Sequence, residues 1–282
     1  MRLVRFEIEG TRRIGKVVDG QVHEAAGEWD DLLTSWSVPG ATVEETGASF
    51  PFEACTLLAP LPDTRRGLFC VGMNYSDHTS EAGKALRAER SDVPIVFLKT
   101  VDAVADPGSR LSLDVSTSTE FDWEVELAVI IGRGGRHIDP RLVEEHIAGY
   151  TILNDITARD VQRRHVQWHL GKNVDRSSPL GPWVVTADEI DYPPDLEISL
   201  SVNGTVKQRA RTSELVFDIA DLMSTVSAYI SLQPGDIIAT GTPAGVGFAR
   251  TPPEFLRSGD VIEANIEGIG TLCNTVDESL NG

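Results

Sequence analysis

Two glutamates one residue apart, Glu124 and Glu126, lie in the run Phe121-Asp122-Trp123-Glu124-Val125-Glu126-Leu127. In a strand, alternate side chains share a face, so both carboxylates project together, opposite Trp123, Val125 and Leu127. Adjacent carboxylates repel unless a proton or a cation sits between them. The pattern fits a divalent-metal site, and it also fits a solvated edge face carrying two unrelated glutamates. A third acid, Asp155, follows the apolar segment 150–153, where a strand end meets a pocket. Aspartate in such a place is equally a common helix cap. If the three acids converge, an all-oxygen set with no Cys or His nearby in sequence favours Mg²⁺ or Mn²⁺ over zinc. Mg²⁺ keeps several waters, which leaves positions open to a chelating substrate.

A second constellation is Asn74-Tyr75-Ser76-Asp77-His78-Thr79-Ser80-Glu81. His78 and Glu81 are three residues apart, so one helical turn brings them side by side. A carboxylate beside an imidazole fixes its tautomer and raises its basicity, as a general base requires. A surface His near a Glu with no role fits the same spacing. Lys172, in Trp168-His169-Leu170-Gly171-Lys172, could neutralise a substrate carboxylate or oxyanion, or could simply be solvated. The loop Thr240-Gly241-Thr242-Pro243-Ala244-Gly245-Val246-Gly247 could hold an anion on its backbone N–H groups, or could be a plain turn. It lacks the Gly-Lys-Ser/Thr of a phosphate-binding loop, and Gly132 to Gly135 lack dinucleotide spacing. No Gly-x-Ser-x-Gly elbow is present, which leaves a serine hydrolase unsupported. Cys70 lies in an apolar stretch and reads as core.

These residues need elements to position them. Val4, Phe6 and Ile8 alternate, and the run Ile14 to Val22 is broken by Asp19-Gly20, a hairpin turn signal, so the N-terminus reads as a small β-meander. Residues 29–36 fit a short helix. Gly67 to Val71, Pro94 to Leu98, Trp123 to Ile131 and Tyr150 to Leu153 read as strands, and 78–92 as helical or mobile. Pro140 to Ala148 reads as helical. Ile198, Leu200 and Val202 alternate into Asn203-Gly204, a second hairpin signal. Leu215, Ile219, Leu222, Met223, Val226 and Ile230 follow a helical period stopped by Pro234-Gly235. Residues 261–276 are β-rich. Strands and helices do not alternate regularly, so the expected class is α+β and β-dominated.

The 282 residues, 41% of them hydrophobic, suffice for a core without staples. The prolines of Ala59 to Arg66 suggest a boundary, giving a small β-rich domain over 1–62 and a catalytic domain over 63–282. Asp and Glu number 43 against 25 Lys and Arg, a net charge of −18. A nucleic-acid partner calls for a basic face and an anionic membrane repels this chain, so neither is expected. Three scattered cysteines make no disulfide framework or zinc ribbon. A charged N-terminus and the lack of an apolar run of ~20 residues suggest a cytoplasmic protein.

Taken in order, these segments resemble the fumarylacetoacetate hydrolase family. The resemblance runs over roughly residues 67 to 276 through Gly72-Met73-Asn74-Tyr75, Asp77-His78, Glu81, Phe97-Leu98-Lys99 and Glu124-Val125-Glu126-Leu127. It continues through Gly149-Tyr150, Asn154-Asp155, Ala158-Arg159-Asp160, Gln162 and Lys172. It closes with Pro179-Leu180-Gly181-Pro182-Trp183, Asn203-Gly204, Pro234-Gly235-Asp236, Thr240-Gly241-Thr242-Pro243 and Gly259-Asp260. Each segment is weak alone, and the ordered set is specific.

The resemblance implies a mixed β-sandwich roll, a homodimer, and Mg²⁺ or Mn²⁺ held by Glu124, Glu126 and Asp155. It implies that His78 and Glu81 lie on a lid, that Lys172 serves catalysis, and that Gln162, Arg159, Tyr75, Gly241 and Thr242 contact a 2-oxo or dioxo acid. Asn173 and Arg176 depart from the family's usual residues, and the stretch from Gln162 to Trp168 is short, which bears on substrate identity. The expected activity is hydrolysis of a C–C bond in an acylpyruvate-like 2,4-dioxo acid through an enolate, with His78–Glu81 activating water. The same centre would serve a hydroxymuconate-type isomerase or an oxaloacetate decarboxylase. A non-catalytic, metal-dependent carboxylate binder is the reading from another class, and the His–Glu pair argues against it.

Overall fold

The computed structural model describes residues 1–36, 42–60, 66–77 and 91–277. Its architecture turns on the strand Val125–Ile131, in which every residue is buried. Val125, Leu127, Val129 and Ile131 enter one core, and Ala128 and Ile130 enter another on the opposite face. Period-two alternation with apolar residues on both faces marks a central strand, and both of its edges are paired. Ile147–Asn154 runs antiparallel on one side and Ile237–Ala239 on the other. An exposed edge face for Glu124 and Glu126 is thereby excluded.

The main sheet has twelve strands. Its principal order is Glu45–Pro51, Gln21–Ala25, Thr11–Val18, Arg2–Ile8, Ser178–Thr186, Ile147–Asn154, Val125–Ile131, Ile237–Ala239, Leu68–Gly72 and Ile95–Lys99. Leu68–Gly72 joins Ile237–Ala239 in parallel and the sheet is mixed. The N-terminal meander is continuous with it, because Arg2 and Leu3 pair with Val185 and Val184.

A second sheet, in the order Thr205–Arg211, Glu197–Val202, Val261–Ile266, Gly270–Val276 and Arg110–Leu111, packs over one face. Ile198, Leu200, Val202, Ile262, Ala264 and Ile266 alternate into the shared core. The tight turn of its hairpin has Asn203 and Gly204 at φ of 51° and 73°, as a two-residue type I′ connection demands. The helix Ile219–Tyr229 closes that core with Ile219, Leu222, Met223 and Val226. Truncating the fully buried Leu222 to Ala should cost ~2–5 kcal/mol. On the other face, the helix Trp29–Trp36 buries Trp29, Leu32 and Leu33. The expected β-dominated α+β fold and β-sandwich are present. Among the described residues, no helix is long and apolar enough to cross a membrane.

Three element boundaries differ from the sequence expectation. The strand expected over Trp123 to Ile131 starts at Val125, and Phe121–Asp122 pairs separately with Thr157–Ala158. Between them the Glu124 amide donates to the Asn154 side chain (3.0 Å) and the Glu124 carbonyl accepts from the Asp155 amide (2.8 Å). The segment expected to be helical over 140–148 is a 3-10 helix, Pro140–His146, followed directly by strand Ile147–Asn154. The helical period from Leu215 starts only at Ile219, capped by Asp218. Residues 215–217 are drawn out instead by Tyr75 and Asn74: Leu215 bridges Tyr75, and the Val216 and Phe217 amides donate to the Asn74 carbonyl and side chain, each at 2.8 Å.

Candidate active site

Strand register assembles the three acids. Val125 lies opposite Asn154 in the antiparallel pair, so Glu124, one residue earlier, meets Asp155, one residue later. Ala128 lies opposite Ala239, which by the same counting aligns Glu126 with Gly241. One carboxylate oxygen from each of Glu124, Glu126 and Asp155 lies within 4.8 Å of the other two. All three residues are at least 96% buried, their exposures being 4%, 1% and 0%. Asp155 caps no helix; the next one, Arg159–Arg164, has Ala158 at its N-cap.

Cations answer some of this charge. The Lys172 ammonium donates to Glu124 Oε2 at 2.6 Å and to Asp155 Oδ2 at 2.7 Å. Lys99 Nζ donates to Asp155 Oδ1 at 2.6 Å. Arg159 Nη2 lies 2.6 Å from Glu124 Oε1, an ion pair. Burial opposes the charge on Lys172, but Asp155 and Glu124 outweigh it and hold the ammonium above the ordinary lysine range.

Glu126 is treated differently. Its Oε2 accepts from the Gly241 amide at 3.0 Å, and no cation stands within ion-pair distance of it among the described residues. Burial, then Asp155 and Glu124, push its carboxyl well above the usual carboxylate range. An all-oxygen triad in which one carboxyl has no ion-pair partner of its own among the described residues is the donor set that a hard divalent cation satisfies, so these residues fit Mg²⁺ or Mn²⁺.

The triad opens into a cleft. Glu124, Glu126, Arg159, Gln162, Lys172 and Thr242 form its polar wall, and Val71, Met73, Phe97 and Trp168 its apolar one. The Trp168 ring packs edge-on to Phe97 at 5.8 Å, and Lys172 Nζ lies 5.2 Å from the Phe97 ring centre. Gln162 is buried and accepts from Arg159 Nη1 at 3.1 Å. Thr242 Oγ1 accepts from Gln208 Nε2 at 2.8 Å. Tyr75 is 2% exposed and absent from the cleft wall, and burial followed by the Glu126 charge raises its phenol pKa. His78 and Glu81 lie outside the described residues. The backbone amides of the 240–247 loop are taken by the protein's own carboxyl groups: Gly241 donates to Glu126, and Gly247 donates to Asp122.

Sequence reasoning gave no role to Lys99 or Asp122. Lys99 ends the apolar strand Ile95–Lys99 and is completely buried. A lysine closing an apolar run was the available signal, since a buried ammonium needs a carboxylate. Asn173 accepts from the Thr100 amide (2.6 Å) and donates to the Leu98 (3.1 Å) and His169 (2.8 Å) carbonyls. It thereby ties the strand of Lys99 to the short helix His169–Lys172.

Residues 67–277 match the family model of the fumarylacetoacetate (FAA) hydrolase C-terminal domain, and residues 1–60 match that of the Rv2993c-like N-terminal domain. Among curated proteins, the oxaloacetate tautomerase YisK of Bacillus subtilis is 43% identical over 220 residues, covering 78% of this chain and 72% of that protein. The 2,4-didehydro-3-deoxy-L-rhamnonate hydrolase of a Sphingomonas species is 35% identical over 289 residues, covering 99% and 96%. Among solved structures, the 2-hydroxyhepta-2,4-diene-1,7-dioate isomerase of Mycobacterium marinum superposes over the full length of both chains with a TM-score of 0.81 and 35% identity.

Proposed function

The chain belongs to the fumarylacetoacetate hydrolase family, and on that premise we propose that it is a Mg²⁺- or Mn²⁺-dependent hydrolase of a C–C bond in an acylpyruvate-like 2,4-dioxo acid. The observation that carries this reading is the buried triad Glu124, Glu126 and Asp155 with Lys172 beside it. Full-length similarity to a hydrolase of a 2,4-didehydro sugar acid supports it further.

Glu124, Glu126 and Asp155 would hold the ion. A bound divalent cation supplies Lewis acidity toward the carboxylate and 2-oxo oxygens of such a substrate. His78, oriented by Glu81, takes a proton from water, and the water oxygen adds to the C4 carbonyl. The C3–C4 bond then breaks. Its electron pair stays with the three-carbon fragment as an enolate, which takes a proton at C3 to give pyruvate, while C4 leaves as a carboxylic acid. Lys172 offsets the negative charge that grows during cleavage. Gln162, Arg159 and Thr242 orient the substrate, and the apolar wall of Phe97 and Trp168 keeps water from the enolate.

A second reading is tautomerisation of oxaloacetate, favoured by the 43% identity to a tautomerase. It needs the triad and Lys172 but no attacking water. Isomerisation of a hydroxymuconate-type diacid and decarboxylation of oxaloacetate use the same enolate. We place the protein in the cytoplasm as a homodimer, which light scattering on the purified protein would test.

The deciding experiment is a proton NMR time course of acetylpyruvate in D₂O with Mg²⁺ and with EDTA. Metal-dependent acetate and pyruvate are expected. Accelerated C3 deuterium exchange without cleavage would replace the hydrolase reading with the tautomerase one. Neither signal, from acetylpyruvate or oxaloacetate, would overturn both.

A further inference from the structure

Arg159 reaches both Glu124 and the cleft, and a long side chain in that role is only as well aimed as whatever holds it. Asp122, two residues before Glu124, is completely buried and gathers four donors on one carboxylate. Its Oδ2 accepts from Arg159 Nε at 2.8 Å and from the Phe248 amide at 3.0 Å. Its Oδ1 accepts from the Gly247 amide at 2.6 Å and from the Trp123 amide at 2.8 Å. Gly247 permits this approach, because a Cβ there would stand 2.7 Å from Asp122 Oδ1. The Arg159 guanidinium donates to Asp122 through Nε and to Gln162 through Nη1, its Nη2 makes the ion pair with Glu124, and the Phe248 ring centre lies 4.2 Å away.

We propose that Asp122 is a positioning residue for the reaction: it aims Arg159 at Glu124 and locks that arginine to the Thr242–Phe248 segment. Glu124 and Thr242, both on the polar wall of the cleft, are thereby kept in one register. A carboxylate needed only to stop the chain at the 247–248 turn would require neither the Arg159 bond nor the fork that Arg159 spans between two acids. Asparagine cannot replace it, because one of its two atoms would face the amide or guanidinium donors with N–H groups of its own. This inference rests on the metal-dependent reading above.

The test is Mn²⁺ titration of the metal-free protein by calorimetry, which needs no turnover, with circular dichroism as the check on folding. Asp122→Asn should bind Mn²⁺ roughly 10–100-fold more weakly, the range for residues that orient a metal ligand. Arg159→Lys keeps a cation but loses the fork, and should give a similar loss. The double variant should be no weaker than the weaker single, because both changes cut one interaction. If Asp122→Asn fails to fold, Asp122→Glu, which keeps the charge but displaces it by a methylene, should show the same weakening. Wild-type affinity in whichever variant folds, or additive losses in the double, would overturn the proposal and leave the metal reading intact. Absence of Mn²⁺ binding by the wild type would overturn both.

Discussion

The pair of neighbouring strands Val125–Ile131 and Ile237–Ala239 carries a buried carboxylate at each end, and the two ends are built on opposite principles. At one end Asp236, 2% exposed, accepts from Arg66 Nε at 3.1 Å and from the Gln233 amide at 2.7 Å, with Arg66 Nη2 on its second oxygen as well. Arg66 also donates to the Ser231 carbonyl at 2.9 Å. That carboxylate is matched by a cation of its own and closes a turn. At the other end Glu126, 1% exposed, has one amide donor and two carboxylates for neighbours. Paired burial holds a fold together. Burial of three acids with cations assigned to only two of them leaves a demand that something else must meet.

The largest effect that would break this contrast comes from the ligand end. Glu126→Gln should weaken Mn²⁺ binding by more than the roughly 100-fold upper range of an outer-shell change and remove metal-dependent turnover. The metal-free variant should be at least as stable as the wild type in urea, since glutamine keeps an acceptor for the Gly241 amide and cannot ionise beside Asp155 and Glu124. A variant that keeps wild-type Mn²⁺ affinity, or that loses stability without metal, would show that Glu126 is no ligand. His78→Ala separates metal holding from proton transfer. It should cost roughly 10²–10⁴ in acylpyruvate hydrolysis with Mn²⁺ affinity unchanged, and full turnover in that variant would move the base elsewhere.

Asp236→Asn should do the reverse of Glu126→Gln. We expect a loss of about 1–3 kcal/mol in urea denaturation, with Mn²⁺ affinity unaltered. Arg66 is partly exposed, which favours the lower half of that range.

The smallest effect is the pH dependence. Glu126 has a folded pKa raised above its unfolded value by burial and its two acidic neighbours. It therefore favours the metal-free fold while protonated, and that contribution is lost as pH rises through the raised value. Mn²⁺ must displace the same proton, so affinity should fall on acidification through that value, with proton release measurable by calorimetry in two buffers. Affinity independent of pH there would place Glu126 outside the ion's first ring of ligands.

Much of this was legible in the residues themselves. The shared face of Glu124 and Glu126 follows from period two in a strand, and both hairpins follow from Asp19-Gly20 and Asn203-Gly204, where local sterics choose the turn. The helix ending near Ile230 and the β-rich class follow from apolar periodicity. The start of that helix was not legible, because Asn74, some 140 residues away in sequence, takes the amides of Val216 and Phe217.

The site divides in the same way. Residue types and local order settled which acids could bind a hard cation. Whether they meet was decided by antiparallel register, which sets Asp155 against Glu124 and Gly241 against Glu126. The partners of Lys99 and Asp122 belong to the tertiary structure. The charges of these two residues are tolerable inside the protein only because strands and loops distant in sequence bring Asp155, Arg159 and the 247–248 amides to within hydrogen-bond reach. A sequence read locally records that such charges exist, and only the folded chain fixes what neutralises them.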